Sequence, residues 1–404
     1  MSTSMLYHGL GVRGYRYRKT DFGEGGMTVH ITQPAESFQC AACGSADVSP
    51  RGTVERPFRC LPIGRKPVTI RLPIPRVACG ECGAVRQVEV KFAERRRSYT
   101  KSFALYALEL SRYMTIKDVA LHLCVSWDLV KEIQKQYLQK HYARPKLKHL
   151  RRIAIDEISI GKGHRYLTVV LDLDSGAVVF VGEGKGADAL LPFWTRLRAA
   201  HAKIEAVAID MSPAYIEAVS TQLPKAAMVF DRFHVIKLFN DKLSDLRRDL
   251  YREATEQMQK DILKGTRWLL LKRPENLDPK RNEAERLEEA LRLNKPLAMA
   301  YYLKEQLGEV WEQEDQEAAQ AFLLDWIQQA ENSGVRMLIQ FAKTLRGHAW
   351  GILAYYDHPI STGPLEGTNN KIKTMKRQAY GFRDKEFLKL KIYAIHESKY
   401  ALVG

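Results

Sequence analysis

The chain begins with short apolar-polar alternation. Gly14-Tyr15-Arg16-Tyr17, Met27-Thr28-Val29-His30-Ile31 and Pro67-Val68-Thr69-Ile70-Arg71-Leu72 each read as a strand, bounded by turns containing glycine and proline. After Arg95-Arg96-Arg97 the period changes to that of a helix, first in Phe103-Ala104-Leu105-Tyr106-Ala107-Leu108. Thr115 to Ile133 then reads as two helices joined by a tight turn. Ala120 is the small residue at the crossing, Cys124 takes the turn position usually given to glycine, Val125, Val130 and Ile133 face inward, and Ser126 caps the second helix. From Arg152 onward the order is β, β, β, α, β, α, β, α, with strands expected over 153–158, 166–173, 178–183, 206–209 and 227–230 and helices over 187–200 and 213–223. A long interval rich in Glu, Gln, Leu, Lys and Ala follows, broken near Lys272 to Pro279. It is too long for a loop and predicts an all-α insertion with Trp268, Trp311, Trp326 and Trp350 as its core, leaving open whether one of them stacks on a base.

The pattern predicts a multidomain chain: a small metal-stapled β module over 1–95, a helix-turn-helix over 96–148, the first part of an α/β core over 149–240, the helical insertion over 241–355, and the last part of the core over 356–404. Three strands followed by alternating helices and strands is the order of a ribonuclease H-like fold. In that order Asp156 lies on the first strand and Asp210 ends the fourth, adjacent in the sheet.

Those two carboxylates, with Glu366 in Gly363-Pro364-Leu365-Glu366-Gly367, form the set that two-metal phosphoryl transfer requires. Hard divalent cations take oxygen ligands, and in-line displacement uses one ion at the attacking oxygen and one at the leaving oxygen. Gly363 to Glu366 fit N-cap to N3 of a helix, so Glu366 also has an explanation as a helix-start residue. Asn369, Asn370, Lys373 and Arg377 share its face, however, and place amide donors and cations where phosphates would pass. Asp231 and His234 follow the fifth strand at a spacing that puts both on one helical face.

Charge extends this reading. With 63 Lys+Arg against 47 Asp+Glu, the formal net charge is +16, which suits a polyanionic partner. Arg95, Arg96 and Arg97 precede the helix-turn-helix, and Ser126, Trp127, Lys131, Gln134 and Lys135 are expected to contact bases and phosphates of double-stranded DNA. Two Cys-x-x-Cys pairs, Cys40/Cys43 and Cys79/Cys82, can each grip a tetrahedral ion from a turn, which implies one structural Zn²⁺. Cys60 reads as a small buried or half-exposed residue and Cys124 as core, neither with a metal role. No apolar stretch approaches the roughly 20 residues needed to span a bilayer, so no membrane partner is expected and the protein is placed in the cytoplasm, on the nucleoid.

Taken together, the zinc module, the helix-turn-helix, Ile-Ala-Ile-Asp156-Glu, Ala-Ile-Asp210-Met-Ser-Pro-Ala-Tyr, Phe230-Asp231-Arg-Phe-His234-Val and Gly363-Pro-Leu-Glu366-Gly-Thr-Asn-Asn-Lys resemble bacterial insertion-sequence transposases of the ISL3 family. The resemblance implies a DDE recombinase with a ribonuclease H-like core and Asp156, Asp210 and Glu366 as its metal-binding triad, holding two Mg²⁺ or Mn²⁺. It implies binding of terminal inverted repeats, cleavage by metal-activated water, joining of the 3′-OH to target DNA, and action as a homodimer or larger assembly. Asp/Cys-x-x-His signatures in similar enzymes suggest that Asp231 and His234 lie by the scissile phosphate. A nuclease that cuts without joining and a DNA-binding regulator derived from a transposase are the competing classes.

Overall fold

The computed structural model of the protein describes residues 5–23, 25–161, 163, 165–255, 260, 263–264 and 266–396, and small parts of the expected terminal and insertion domains lie outside them. The chain forms two compact units, residues 1–143 with 374–404, and residues 144–373. The C-terminal segment therefore groups with the N-terminal unit, not wholly with the core as the sequence suggested. The reason is apolar: Phe387, Leu390 and Ala394 share a buried cluster with Leu138.

In the first unit a short helix α1 (Met5–His8) precedes strands β1 (Arg16–Gly23), β2 (Gly26–Thr32), β3 (Val48–Ile63), β4 (Lys66–Cys79) and β5 (Val85–Gln87). The sheet order is β1-β2-β4-β3, with β5 pairing β4. The long hairpin β3-β4 was only half legible, because β3 contains Pro50, Pro57 and Pro62 and is largely exposed. Ile31, Phe58, Cys60, Val68, Ile70 and Leu72 fill the core of this module. Three helices follow: α2 (Lys101–Leu110), α3 (Ile116–Leu123) and α4 (Trp127–Tyr142). Thr100, Thr115 and Ser126 cap them through backbone N–H groups three residues on. Cys124 adopts the left-handed conformation at φ 50°, as the turn between α3 and α4 demands. It is exposed, not core as expected, since its side chain leaves the turn outward.

The second unit is built on a five-stranded sheet of order β10-β9-β6-β7-β8, comprising β6 (Arg152–Gly161), β7 (Arg165–Asp172), β8 (Val178–Glu183), β9 (Ala206–Ile209) and β10 (Ala227–Phe230). β6, β7 and β8 are antiparallel, while β9 and β10 run parallel to β6. The parallel strands are apolar on both faces, as strands covered on both sides must be. Helices α5 (Leu191–Ala199) and α6 (Pro213–Gln222) link them, and α7 (Arg232–Glu253) leaves β10 directly.

Every described element between α7 and residue 362 is helical, the longest being α8 (Arg267–Leu271), α9 (Glu283–Leu293), α10 (Lys295–Leu307), α11 (Gln316–Asn332) and α12 (Arg336–Leu353). Their buried side chains are continuous with those of the sheet: Phe239, Trp326 and Phe341 belong to one cluster with Phe230 and Ile209. Two of the expected core tryptophans are surface residues instead. Trp326 and Trp311 are buried, whereas Trp268 is 66% and Trp350 49% exposed. Trp350 rests edge-on against Phe230, with ring centroids 4.9 Å apart. The chain then returns through α13 (Gly363–Gln378) and α14 (Lys385–Tyr393).

Helix α12 lies against β10 so closely that a Cβ on Gly351 would meet the Phe230 ring at 2.4 Å, while one on Gly347 would meet nothing within 4 Å. Alanine at the two positions should therefore act with opposite sign. Gly351→Ala is expected to destabilise by about 1–3 kcal/mol through overpacking. Gly347→Ala, at an exposed helix-interior site, should stabilise by about 0.5–1 kcal/mol. Urea unfolding of the two variants measures both, and equal shifts would contradict the packing described.

Candidate functional site

Strand register places the acidic residues. Ala154 pairs with Ala208 and Phe230 with Ile209, so Asp156, Asp210 and Asp231 stand level across three adjacent parallel strands, Asp156 midway along the longer β6 and the other two just past the carboxyl ends of β9 and β10. This end of an open α/β sheet is where ligands bind in such folds. Asp156 and Asp210 are half-buried, and Asp231 is 2% exposed.

Backbone donors hold each carboxylate in place. The Glu157 N–H donates to Asp156 Oδ1 at 2.7 Å and the Ser212 N–H to Asp210 Oδ1 at 3.0 Å. Asp231 caps α7 by accepting from His234 N at 3.3 Å, and its other oxygen accepts from Thr362 N at 2.8 Å. His234 Nδ1 lies 3.3 Å from Asp231 Oδ2, and its Nε2 is turned toward Asp156 Oδ1 at 3.9 Å. Burial opposes charge on all three groups, yet the outcomes differ. Burial lifts the Asp156 carboxyl above its ordinary range, with Asp210 and Glu157 adding to the effect against His234. Burial would also lift Asp231, but His234 and Thr362 hold it below its ordinary value. His234 is raised, its burial outweighed by Asp231 and Asp156.

Glu366 arrives on α13. The Glu366 N–H donates to Thr362 O at 2.8 Å, so Thr362 is the N-cap and Glu366 sits one position deeper than the expected N3. One turn on, Asn369 departs from its expected role as a DNA contact. It is 4% exposed and its Nδ2 donates to Asp156 Oδ2 at 2.8 Å, because α13 packs its inner face on the strand ends. The Asn369 Oδ1 is buried with no hydrogen-bond partner. Asn370, Lys373 and Arg377 are exposed along the helix, as the stripe predicted. Sequence reading missed Thr362, although a threonine before Gly-Pro is an ordinary helix-start signal.

Among the described residues, the group of candidate ligands whose donor atoms all lie within 4.8 Å of one another is Cys40, Cys43, Cys79 and Cys82. The acidic residues are ranged around the strand ends without closing to that distance. Cys40 and Cys82 sulfurs are 3.6 Å apart, as are those of Cys43 and Cys79. A tetrahedral site with Zn–S near 2.3 Å needs sulfurs about 3.8 Å apart. The Ala42 N–H, foremost among its neighbours, draws the Cys40 thiol down to about 6. The Ser45 N–H favours the Cys43 thiolate, but the facing sulfurs of Cys79 and Cys82 push it up to about 12. Four sulfurs this close make a ligand set that fits a tetrahedral cation. Gly80 permits the second knuckle, since a Cβ there would meet Asp47 Oδ2 at 2.0 Å.

The expected DNA contacts divide into three groups. Arg95 and Arg96 are exposed and line a groove of about 710 Å³ with Arg56, Arg76 and Arg86, while Arg97 lies 3.6 Å from Glu132. Trp127 is 54% exposed at the start of α4, beside the capping Ser126. Lys131, Gln134 and Lys135 do not face solvent as expected. Asp384 and Glu386 pair with the two lysines, and Gln134 is 4% exposed, because α14 packs on this face of α4.

Known proteins align with this layout. A transposase family model matches residues 153–392, one for the helix-turn-helix domain of transposase family ISL3 matches 88–138, and one for the zinc-finger of transposases IS204, IS1001, IS1096 and IS1165 matches 36–82. The transposase for insertion sequence element IS1001 of Bordetella parapertussis is 33% identical over 95% of this chain and 96% of its own length. The transposase for element IS1557 of Mycobacterium tuberculosis is 29% identical over 93% and 90%. The Drosophila P element transposase strand transfer complex shows 9% identity over 64% of this chain and 79% of that one, at a TM-score of 0.31, too slight a likeness to bear on the site. With three family matches in chain order and a relative aligned from end to end, the chain belongs to the ISL3 family of DDE insertion-sequence transposases.

Proposed function

We propose that this DDE transposase binds the terminal inverted repeats of its element, cuts at the element ends and joins the freed 3′-OH to target DNA, with Asp156, Asp210 and Glu366 as metal ligands. The observation that carries the reading is the register Ala154↔Ala208, which levels Asp156 with Asp210, together with the bond from Asn369 that ties the Glu366 helix to Asp156. The sheet order, with three antiparallel strands followed by two parallel ones, supports a ribonuclease H-like core, and the helices between α7 and α13 support an insertion into it. The donor set suits hard divalent ions such as Mg²⁺ or Mn²⁺: carboxylates, with an orphaned amide oxygen on Asn369 beside them. Bound there, two ions would activate a water for attack and stabilise the departing 3′ oxygen.

The protein's own groups have separable tasks. Asp231 orients His234 by accepting at Nδ1, which leaves Nε2 facing Asp156 and the position of a phosphate above it. Asn369 fixes the rotamer of Asp156. Arg95, Arg96, Trp127, Asn370, Lys373 and Arg377 are exposed for DNA, and Cys40, Cys43, Cys79 and Cys82 hold one structural Zn²⁺. The enzyme acts as a homodimer or larger assembly on paired ends, on nucleoid DNA. No helix among the described residues is long and apolar enough to cross a membrane.

Incubating labelled terminal-repeat DNA with a plasmid target and Mg²⁺ tests the function. Joined products are expected; cut ends alone would establish a nuclease, and shifted but intact DNA a regulator. Asp156→Asn, Asp210→Asn and Glu366→Gln should each keep end binding and lose cleavage by three orders of magnitude or more, about 4 kcal/mol of transition-state stabilisation. Normal cleavage by any of the three sinks its assignment. Asn369→Ala should weaken Ca²⁺ binding, followed by calorimetry without turnover, by about 10–100-fold, the usual effect of losing a group that orients a ligand. An unchanged Ca²⁺ affinity would show that Asp156 needs no such brace. Elemental analysis of a Cys40→Ser, Cys79→Ser double variant should find zinc lost from a protein that otherwise carries about one per chain, and retained zinc would refute the site.

A further inference from the structure

Helix α4 is the second helix of the helix-turn-helix, the one that reads DNA in this motif, yet its basic face is already occupied. Lys131 Nζ lies 3.1 Å and Lys135 Nζ 3.3 Å from the same oxygen of Asp384, and Lys135 also reaches Glu386 at 2.6 Å. Both lysines are about three-quarters buried by this arrangement. Leu138, one turn further along the face, packs on Phe387, Leu390 and Ala394 of α14. Gln134, between the lysines, is 4% exposed with neither amide atom hydrogen-bonded.

That combination is unlike a finished structural interface. A helix face built only to pack would not bury an amide with both of its polar atoms unsatisfied, since such a group forfeits its hydration for nothing. The face has the chemistry of a surface made for a different partner: two ammonium groups one turn apart with an amide between them suit phosphate oxygens and a base edge. Asp384 and Glu386 present carboxylate oxygens to those ammoniums as a duplex would present phosphates. Asp384 also caps α14, accepting from Phe387 N at 3.0 Å, so the acidic end is held in position by its own helix.

We propose that Asp384 and Glu386 are an internal stand-in for DNA phosphate, and that α14 and duplex DNA compete for the face of α4 carrying Lys131, Gln134 and Lys135. The inference rests on the reading of α4 as the DNA-reading helix. Free protein is held in a low-affinity state, and binding to the correct end displaces α14. Displacement satisfies Gln134 and exchanges two carboxylates for phosphates, whose counterion release supplies a favourable term.

The test uses full-length protein, fluorescence anisotropy, a terminal-repeat duplex and a scrambled duplex over a salt series. Asp384→Asn with Glu386→Gln should tighten binding to the repeat about tenfold and steepen the slope of log K against log salt by about 2, for two newly available phosphate contacts. Lys131→Gln with Lys135→Gln in that background should cancel both changes. A charge-matched control, Glu36→Gln with Glu109→Gln, alters two exposed acidic residues of the same unit and should leave the slope as it was. Amide exchange in residues 385–393 of the unsubstituted protein should accelerate when saturating repeat DNA is added. An unchanged salt slope in the Asp384, Glu386 variant, or full protection of 385–393 in the bound protein, overturns the competition while leaving end binding intact. If neither protein distinguishes the repeat from the scrambled duplex, the reading of α4 fails, and the competition with it.

Discussion

One buried carboxylate organises the candidate site. Asp231 follows β10 directly, caps α7, pairs with His234 and receives the N–H of Thr362, a residue 131 positions later. A charge this deep is costly unless its lone pairs are filled, and here donors from two distant segments fill them. The consequence is geometric. Closing the bond to Thr362 N fixes where α13 begins, and therefore where Glu366 emerges relative to the strand ends.

The opposed shifts of Asp156 and Asp231 separate two roles among chemically identical side chains. Each follows an apolar run directly, and burial acts to lift both. Asp231 is surrounded by donors that favour its charge, so it is kept ionised and serves as an anchor. Asp156 has neighbouring carboxylates and lacks a full countercharge, so its charged form is one that a cation would stabilise. Pairs of titratable groups driven apart by their surroundings commonly divide structural from chemical work. The half-buried Asp156 stays accessible, and the buried Asp231 is enclosed by the fold.

Much of this layout was legible in sequence because it follows from local rules. The core strands, the capped helices and left-handed Cys124 of the helix-turn-helix, and the two thiol pairs are each set by residues within a few positions of one another. Other features depend on partners far along the chain. Asn369 and Asn370 are equivalent by periodicity, and only the packing of α13 on β6 decides that the first turns to Asp156 and the second to solvent. The tryptophans of the helical region were equally indistinguishable: hydrophobicity marked four, and tertiary contacts buried two. β3 was hidden by its prolines, which an edge strand tolerates.

The covering of Lys131, Gln134 and Lys135 on α4 was illegible for a more general reason. A basic helical face specifies an anionic partner but not whether that partner lies on another molecule or on the same chain. For Lys135 it is Asp384, 249 positions away. Such an arrangement raises the question of whether loosening α14 would also loosen Glu366, since α13 precedes α14 along the chain. The bonds argue that it would not. Glu366 lies in the first turn of α13, and that end is held by Thr362 on Asp231 and by Asn369 on Asp156, both within the second unit. Residues beyond Lys373 add nothing to those two contacts. The proposed exchange on α4 would therefore act at the far end of the segment, while the near end keeps the acidic residues in place.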